Sequence, residues 1–277
     1  MNWLHSVLLG FVSGLCELMP VSASANRGLL RQLLDLPAEE PLFTLLCRCA
    51  VLVVLLSTGI LELRRLRRTA RLLRMPPRRR TGHPSLNESG TLRLLRMAFL
   101  PALVGGMLST QLAEVADRLW LVPVPLVLGG LLLWLPTHMR SANKDARHLS
   151  DAEGLLMGLG ALAAAVPGIG AVGAVFALAS MRGTQRRYAL RFSMLLAAIG
   201  LTGAMAMDLL AMIGSGFSFD TAGLLSAGLG AAAAGLGAYL AVQALRALIR
   251  PGAAGLFGFF YYNWGQALLC LILFLMV

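Results

Sequence analysis

Long apolar stretches separated by short polar ones dominate the chain. Runs near the roughly 20 residues needed to cross a bilayer occupy 41–61, 97–113, 120–136, 192–213, 221–245 and 255–277, predicting six transmembrane helices. Two further apolar regions, 2–36 and 152–181, are interrupted near their middles. The interruptions combine proline with small and polar residues, MPVSASAN at 19–26 and VPGIGAVG at 166–173. Irregular backbone at membrane depth survives only where protein or a watery cavity covers it. Each broken region therefore reads as two short helices folded about its break.

The basic residues orient these elements. Residues 62–96 hold eleven arginines, including Arg64, Arg65, Arg67, Arg68 and the Arg78–Arg79–Arg80 run, which predicts a cytoplasmic loop by the positive-inside rule. Two spans later, 137–151 is again net basic, with Arg140, Lys144 and Arg147 against Asp145 and Asp151. The next cluster, Arg182, Arg186, Arg187 and Arg191, stays on the same side only if 152–181 enters the membrane and returns. The 214–220 connection, with Asp220 and no basic residue, then falls outside, and Arg246 and Arg250 fall inside. The same logic makes 2–36 a hairpin dipping in from the outer face and puts both termini outside. The expected fold is an all-α integral membrane protein with an inverted-topology repeat. Each half, 1–136 and 152–277, holds a re-entrant helix hairpin plus three transmembrane helices, and 137–151 is a cytoplasmic linker. Pro20 and Pro167 take matching places in the two hairpins, and such paired interrupted helices build binding sites at the bilayer midplane.

Composition narrows the classes. Of 277 residues, 57% are hydrophobic and 13% charged, against about 25% charged in soluble domains. That excludes a soluble enzyme, a disordered chain and a secreted disulfide scaffold. A net charge of +11 would suggest nucleic acid in a soluble protein. Here the arginines orient the chain, no nucleic-acid partner is expected, and anionic membrane lipid is the default contact of the 62–96 segment. Cys16, Cys47, Cys49 and Cys270 lie in apolar runs without zinc or redox spacing; they read as small buried hydrophobes. His5, His83, His138 and His148 are too scattered for a metal site.

Charged residues inside apolar runs are costly and mark candidate sites. Glu17, Arg27 and Arg48 meet that description. An arginine fork suits phosphate oxygens; the alternatives are snorkelling for Arg27 and an internal pair with Glu17 for Arg48. Ser22 and Ser24 could bind phosphate or satisfy the broken backbone of the hairpin. Asp208, near the end of its span, reads as interfacial, and the small-residue run 223–238 as close helix packing.

The stretch GFVSGLCELMPVSASANRGLL resembles the first signature of the bacterial undecaprenyl-pyrophosphate phosphatases, the bacitracin-resistance family, which reads E-G-x-T-E-F-L-P-V-S-S-T-G-H. ALAAAVPGIGAVGAVFAL resembles the second, P-G-x-S-R-S-G-A-T. FTLLCRCAVLVVLL, LPALVGGML, YALRFSMLLAAIGLTGA and FGFFYYNWGQALL are similar to segments at corresponding places. The resemblance implies a multi-pass protein of the bacterial cytoplasmic (inner) membrane that handles a polyprenyl phosphate or pyrophosphate lipid. Its setting would be recycling of the lipid carrier of peptidoglycan synthesis. A divalent cation, Mg or Ca, and a homodimer are compatible with it.

Residue by residue the catalytic set is depleted. The family's two glutamates fall on Ser13 and Glu17, its nucleophilic serine on Ala23 between Ser22 and Ser24, and its histidine on Asn26. The phosphate-gripping arginine falls on Ala171, between Gly170 and Val172. An asparagine cannot take and return a proton as histidine does, and phosphoryl transfer depends on positioned cations. The expectation is a divergent member that binds the headgroup between the hairpins through Asn26, Arg27 and Arg48, hydrolyses weakly or not at all, and serves lipid-carrier transport or recycling. The alternative is an active phosphatase with its nucleophile at Ser22 or Ser24, Glu17 retained, and its cation at Arg27 or Arg48.

Overall fold

The computed structural model describes residues 3–36, 39–76, 83–118, 120–139, 143–214, 221–250 and 255–276. The Arg78–Arg79–Arg80 run, Arg140 and Asp220 lie outside these residues. Among the described residues the protein is helical, with one isolated bridge between Lys144 and Thr184. The helices are α1 (Trp3–Leu18), α2 (Ala23–Leu33), α3 (Pro41–Thr58), α4 (Ile60–Arg74), α5 (Leu86–Gln111) and α6 (Pro123–Trp134), then α7 (Asp151–Ala163), α8 (Ala171–Met181), α9 (Arg186–Gly214), α10 (Thr221–Leu248) and α11 (Phe259–Met276).

Five segments, α3, α5, α9, α10 and α11 with the turn before it, are long and apolar enough to cross a membrane. The chain is an all-α, multi-pass membrane protein. The segment expected as a span at 120–136 is shorter: α6 has 12 residues and continues as a 3-10 turn over Leu135–His138. Pro123 sits in the first turn, where its missing N–H is harmless, and Pro136 lacks the donor that would carry the α-helix onward. At 1.5 and 2.0 Å per residue the two pieces reach about 26 Å.

The arginine-rich segment at 62–96 is not the loop expected from its charge. Its first part is α4 and its last part the opening turns of α5. Leucine and arginine are both strong helix formers, and α4 turns Thr69 and Leu72 inward while its arginines face out. Thr69 Oγ donates to Glu88 of α5 at 2.5 Å.

Both broken regions form helix pairs. Pro20 disfavours helical conformation in the residue before it, and α2 restarts with Ser22 as its N-cap, the Ser22 hydroxyl accepting from the Ala25 N–H. In the second pair the break is Pro167 followed by Gly168 at φ +116°, a conformation side chains disfavour. The two tips meet. A Cβ on Gly170 would collide with the Val21 backbone, and one on Gly173 would lie 3.1 Å from Pro20.

Around these tips α1 packs on α10 and α7 on α5, while α3 packs on α10 and α9, α5 on α9, and α6 on α11. The small-residue run in α10 permits the first of these contacts. Gly10 faces the Gly230 backbone, Gly14 that of Ala234, and Gly237 that of Phe11, each without room for a Cβ. In lipid such close approach supplies the van der Waals contact that holds helices together.

The open end of the second pair is tied shut by Glu153. Ser150 and Glu153 form a reciprocal cap at the start of α7. The carboxylate also meets Arg182 Nε at 2.9 Å and Lys144 Nζ at 3.9 Å. Burial pushes this carboxyl up, but the Ser150 N–H, the Arg182 guanidinium and the Ser150 hydroxyl outweigh it and hold Glu153 below its ordinary value of 4.5. A lowered folded value means the stabilisation is complete above pH 4.5 and fades as pH falls through that lower value. Glu153→Gln should therefore lower the melting temperature in detergent at about pH 7, and the gap from wild type should narrow as the pH falls below 4.5.

Candidate functional site

The α2 end of the first hairpin and the α8 end of the second converge on a chamber of about 70 Å³. Val21, Ser22, Ala23 and Ser24 line one side at the start of α2, and Ile169, Gly170 and Ala171 line the other at the start of α8. Both helices present the positive ends of their dipoles there. Gly170, the N-cap of α8, offers no side-chain acceptor to the first-turn N–H groups, the arrangement by which helix starts receive anions.

Beside this chamber lies a wider vestibule of about 510 Å³, bounded by Thr44, Thr110, Gln111 and Asp208 among others. Ser24, Arg27 and Arg48 line both spaces. They form the wall through which an anionic group entering from the vestibule would meet the chamber. Glu17 lines the chamber alone, and its carboxylate has no hydrogen-bond or ion-pair partner among the described residues.

Both arginines are buried, Arg27 at 8% and Arg48 at 6% exposure. Arg27 Nη1 pairs with Glu39 Oε2 at 3.2 Å, while its buried Nε has no acceptor. Arg48 Nη1 pairs with Asp208 Oδ2 at 2.5 Å across α3 and α9. Asp208, expected at the interface with solvent, is buried at 7% exposure. It also takes the place expected for Glu17 as Arg48's partner. A carboxylate in the last third of an apolar helix and an arginine within another are each costly alone, and that mutual need was the signal for the pair. Nothing in the AEEP stretch pointed to Glu39.

The serines divide their labour. Ser22 Oγ accepts from the Ala25 N–H at 3.3 Å and from the Gly168 N–H at 2.8 Å, and lies 3.2 Å from Ser24 Oγ. A hydroxyl has two lone pairs and one proton, so Ser22 spends both pairs on the backbones of the two hairpins and turns its proton toward Ser24. Ser24 keeps its own proton and a lone pair for the cavities. Ser22→Ala would orphan two buried N–H groups and remove a helix cap. It should cost about 2–4 kcal/mol, read as a fall in melting temperature in detergent.

Asn26 lies just behind this wall, outside the lining of both spaces. Its Nδ2 donates to Ser22 O at 2.8 Å and to Gln266 Oε1 at 3.3 Å, and its Oδ1 accepts from the Tyr262 hydroxyl. Asn263 reaches the Pro20 carbonyl at 3.5 Å. Tyr262, Asn263 and Gln266 were missed in the sequence. Their signal was three polar groups within one turn of an otherwise apolar helix.

Among the described residues no three His, Cys, Asp or Glu side chains gather as metal ligands. Glu17, the one carboxylate on the chamber, does not amount to a protein-held site for Mg or Ca, which take several oxygen ligands.

Fold and site together define a multi-pass membrane protein with a buried, arginine-lined cavity between two helix pairs. The chain belongs to the family described as bacitracin resistance protein BacA, whose model matches residues 6–269. It is similar to the undecaprenyl-diphosphatase of Carboxydothermus hydrogenoformans, 27% identical over 99% of this chain and 98% of that one. The undecaprenyl-diphosphatase of Methanobrevibacter smithii is 27% identical over 95% of each chain. That of Chromohalobacter salexigens is 32% identical over 71% of this chain and 72% of its own.

Proposed function

We propose that this protein binds the headgroup of a polyprenyl phosphate or pyrophosphate lipid in the chamber and vestibule, serving transport or recycling of that carrier with little or no hydrolysis. The observation that carries the reading is the wall of Ser24, Arg27 and Arg48 between the two spaces. Two helix starts aim at that chamber. The phosphate would take Arg27 Nε, buried without an acceptor, and the lipid's polyprenyl tail would leave through the vestibule. Loss of hydrolysis follows from side chains: Ala23 has no nucleophile, Ala171 has no charge, and the Asn26 amide is engaged by Tyr262 and Gln266.

In this reading the chain is an inverted repeat of 1–136 and 152–277 about the linker 137–151. The helix pairing supports it: α1 on α10 mirrors α7 on α5, α3 on α10 mirrors α9 on α5, and α6–α11 and α3–α9 pair across the pseudo-axis. The Thr58 end of α3, which leads into the arginines of α4, and the arginine-bearing ends of α9 and α10 would be cytoplasmic. The vestibule lies at the opposite ends of α3 and α9, and so would open outward in the inner membrane.

A second reading has one observation in its favour. Ser24 and Glu17 line the same chamber, and Glu17 has no hydrogen bond or ion pair among the described residues. A relocated nucleophile at Ser24 could then attack the terminal phosphorus, with Arg27 and Arg48 as cations. Binding of undecaprenyl phosphate and pyrophosphate to purified protein, followed by native mass spectrometry, tests the main reading. Arg27→Gln should weaken binding about tenfold, as expected for one charge-assisted hydrogen bond. Wild-type protein that retains neither lipid would overturn it. Phosphate release that disappears in Ser24→Ala and Glu17→Ala would establish the second reading.

A further inference from the structure

At the opposite ends of the spanning helices lies another cavity, of about 470 Å³, between the last turns of α3 and α10 and the first turns of α9. Its rim carries Arg65, Arg187, Arg191, Arg246 and Arg250 against a single acid, Glu62. Arg191 Nε already takes Glu62 at 2.8 Å, and Arg246 Nη2 is anchored on the Thr58 carbonyl at 2.9 Å. The guanidinium groups of Arg65, Arg187 and Arg250 have no hydrogen-bond or ion-pair partner among the described residues. The start of α9 adds the positive end of its dipole.

The floor of the same cavity is apolar. Leu55 and Leu190 are buried beneath it, and Met194, Ala198 and Ile249 are half-buried along it. At its edge Leu56 is 39% and Leu61 65% exposed, so the apolar strip continues outward at the α3–α4 corner. A free anion uses only the cationic rim. An amphiphile uses both, and basic pockets between spanning helices are known receivers of anionic headgroups.

We infer that this cavity is a second lipid site, binding a phosphate-headed anionic phospholipid with its headgroup on Arg65, Arg187 and Arg250 and its chains on the α3–α9 floor. It is separate from the headgroup cavity above and does not depend on what that cavity binds. Arginine forks match phosphate oxygens in pairs, and the level of the rim, at the ends of three spanning helices, is where a headgroup sits. The site would also fix α4, whose arginines flank it, against the membrane surface.

The test uses purified full-length protein carrying Arg27→Gln, so that the other cavity contributes little. Native mass spectrometry then counts retained dioleoyl phosphatidic acid against dioleoyl phosphatidylcholine. Phosphatidic acid should be held about tenfold more tightly, and Arg187→Gln with Arg250→Gln should erase that preference while leaving phosphatidylcholine unchanged. Arg64→Gln with Arg67→Gln removes the same charge from α4 positions off the cavity and should leave binding intact. An equal loss there would reduce the site to a general basic surface and overturn the inference. Ala198→Phe, which fills the floor without touching charge, should lower retention. Inorganic phosphate at lipid concentration should not compete; full displacement by it would assign the rim to a free anion and overturn the lipid. Unchanged melting temperatures of the lipid-free variants would show that binding, rather than folding, is being read.

Discussion

Arg48→Ala should be the most damaging single substitution in the protein, lowering stability by about 3–5 kcal/mol by leaving the Asp208 carboxylate buried without its partner. The pair spans α3 and α9 at 2.5 Å with both side chains under one-tenth exposed. Each lies within an apolar segment of a long helix, where a charge is costly without its partner. Asp208→Asn should cost less than Arg48→Ala, since an amide oxygen can still accept from the guanidinium while an orphan carboxylate has no comparable donor. Replacing both, Arg48→Met with Asp208→Leu, should recover most of the loss, as apolar isosteres often do for buried pairs. Melting in detergent of wild type, Arg48→Met, Asp208→Leu and the double variant measures the coupling directly. A double variant that is stable yet no longer retains a polyprenyl phosphate would show that the pair holds an arginine in the cavity wall at some expense to the fold.

The same pair shows where the sequence was legible. Apolar run lengths located α3, α5, α9, α10 and α11, because twenty apolar residues have few other solutions. The two broken regions also announced themselves, since Pro20 and Pro167 cannot continue a helix in either hairpin. Charge was a poorer guide to local structure. Eleven arginines between 62 and 96 say which side of a membrane a segment prefers, but arginine is also a good helix former, and α4 results. Partner choice was not readable at all. Glu17, Glu39 and Asp208 were three acids for two buried arginines, and only the crossing of α3 over α9 assigns Asp208 to Arg48 and leaves Glu17 without an ion pair among the described residues. The serines illustrate the same gap. Ser22 and Ser24 are equivalent in a string, yet the Gly168 N–H reaches one of them from the other hairpin and makes it structural.

Restoring two side chains should restore chemistry if hydrolysis was lost through them. Ala23 and Asn26 lie three residues apart on α2 and so share a face; Ala23 lines the chamber and Asn26 sits behind it. Tyr262 now donates to the Asn26 amide and Gln266 accepts from it. A neutral imidazole has one N–H and one acceptor nitrogen, so with Gln266 Oε1 taking the N–H, the other nitrogen must give up the Tyr262 hydroxyl and accept instead from a hydroxyl at position 23. Ala23→Ser with Asn26→His is expected to raise phosphate release from undecaprenyl pyrophosphate by at least about 100-fold over wild type, the usual range for a positioned base acting on a nucleophile. Each single change should give almost nothing, because nucleophile and base act as a unit. The cations would be Arg27 and Arg48, which a wild-type lipid complex already requires. If the double variant binds the lipid and stays inert, Ala171→Arg supplies the missing charge at the start of α8, and activity appearing only in the triple variant would assign the loss to that position. A triple variant that binds and remains inert would mean that the two hairpin tips no longer hold the reacting groups in line, and that this branch of the family has changed its backbone along with its side chains.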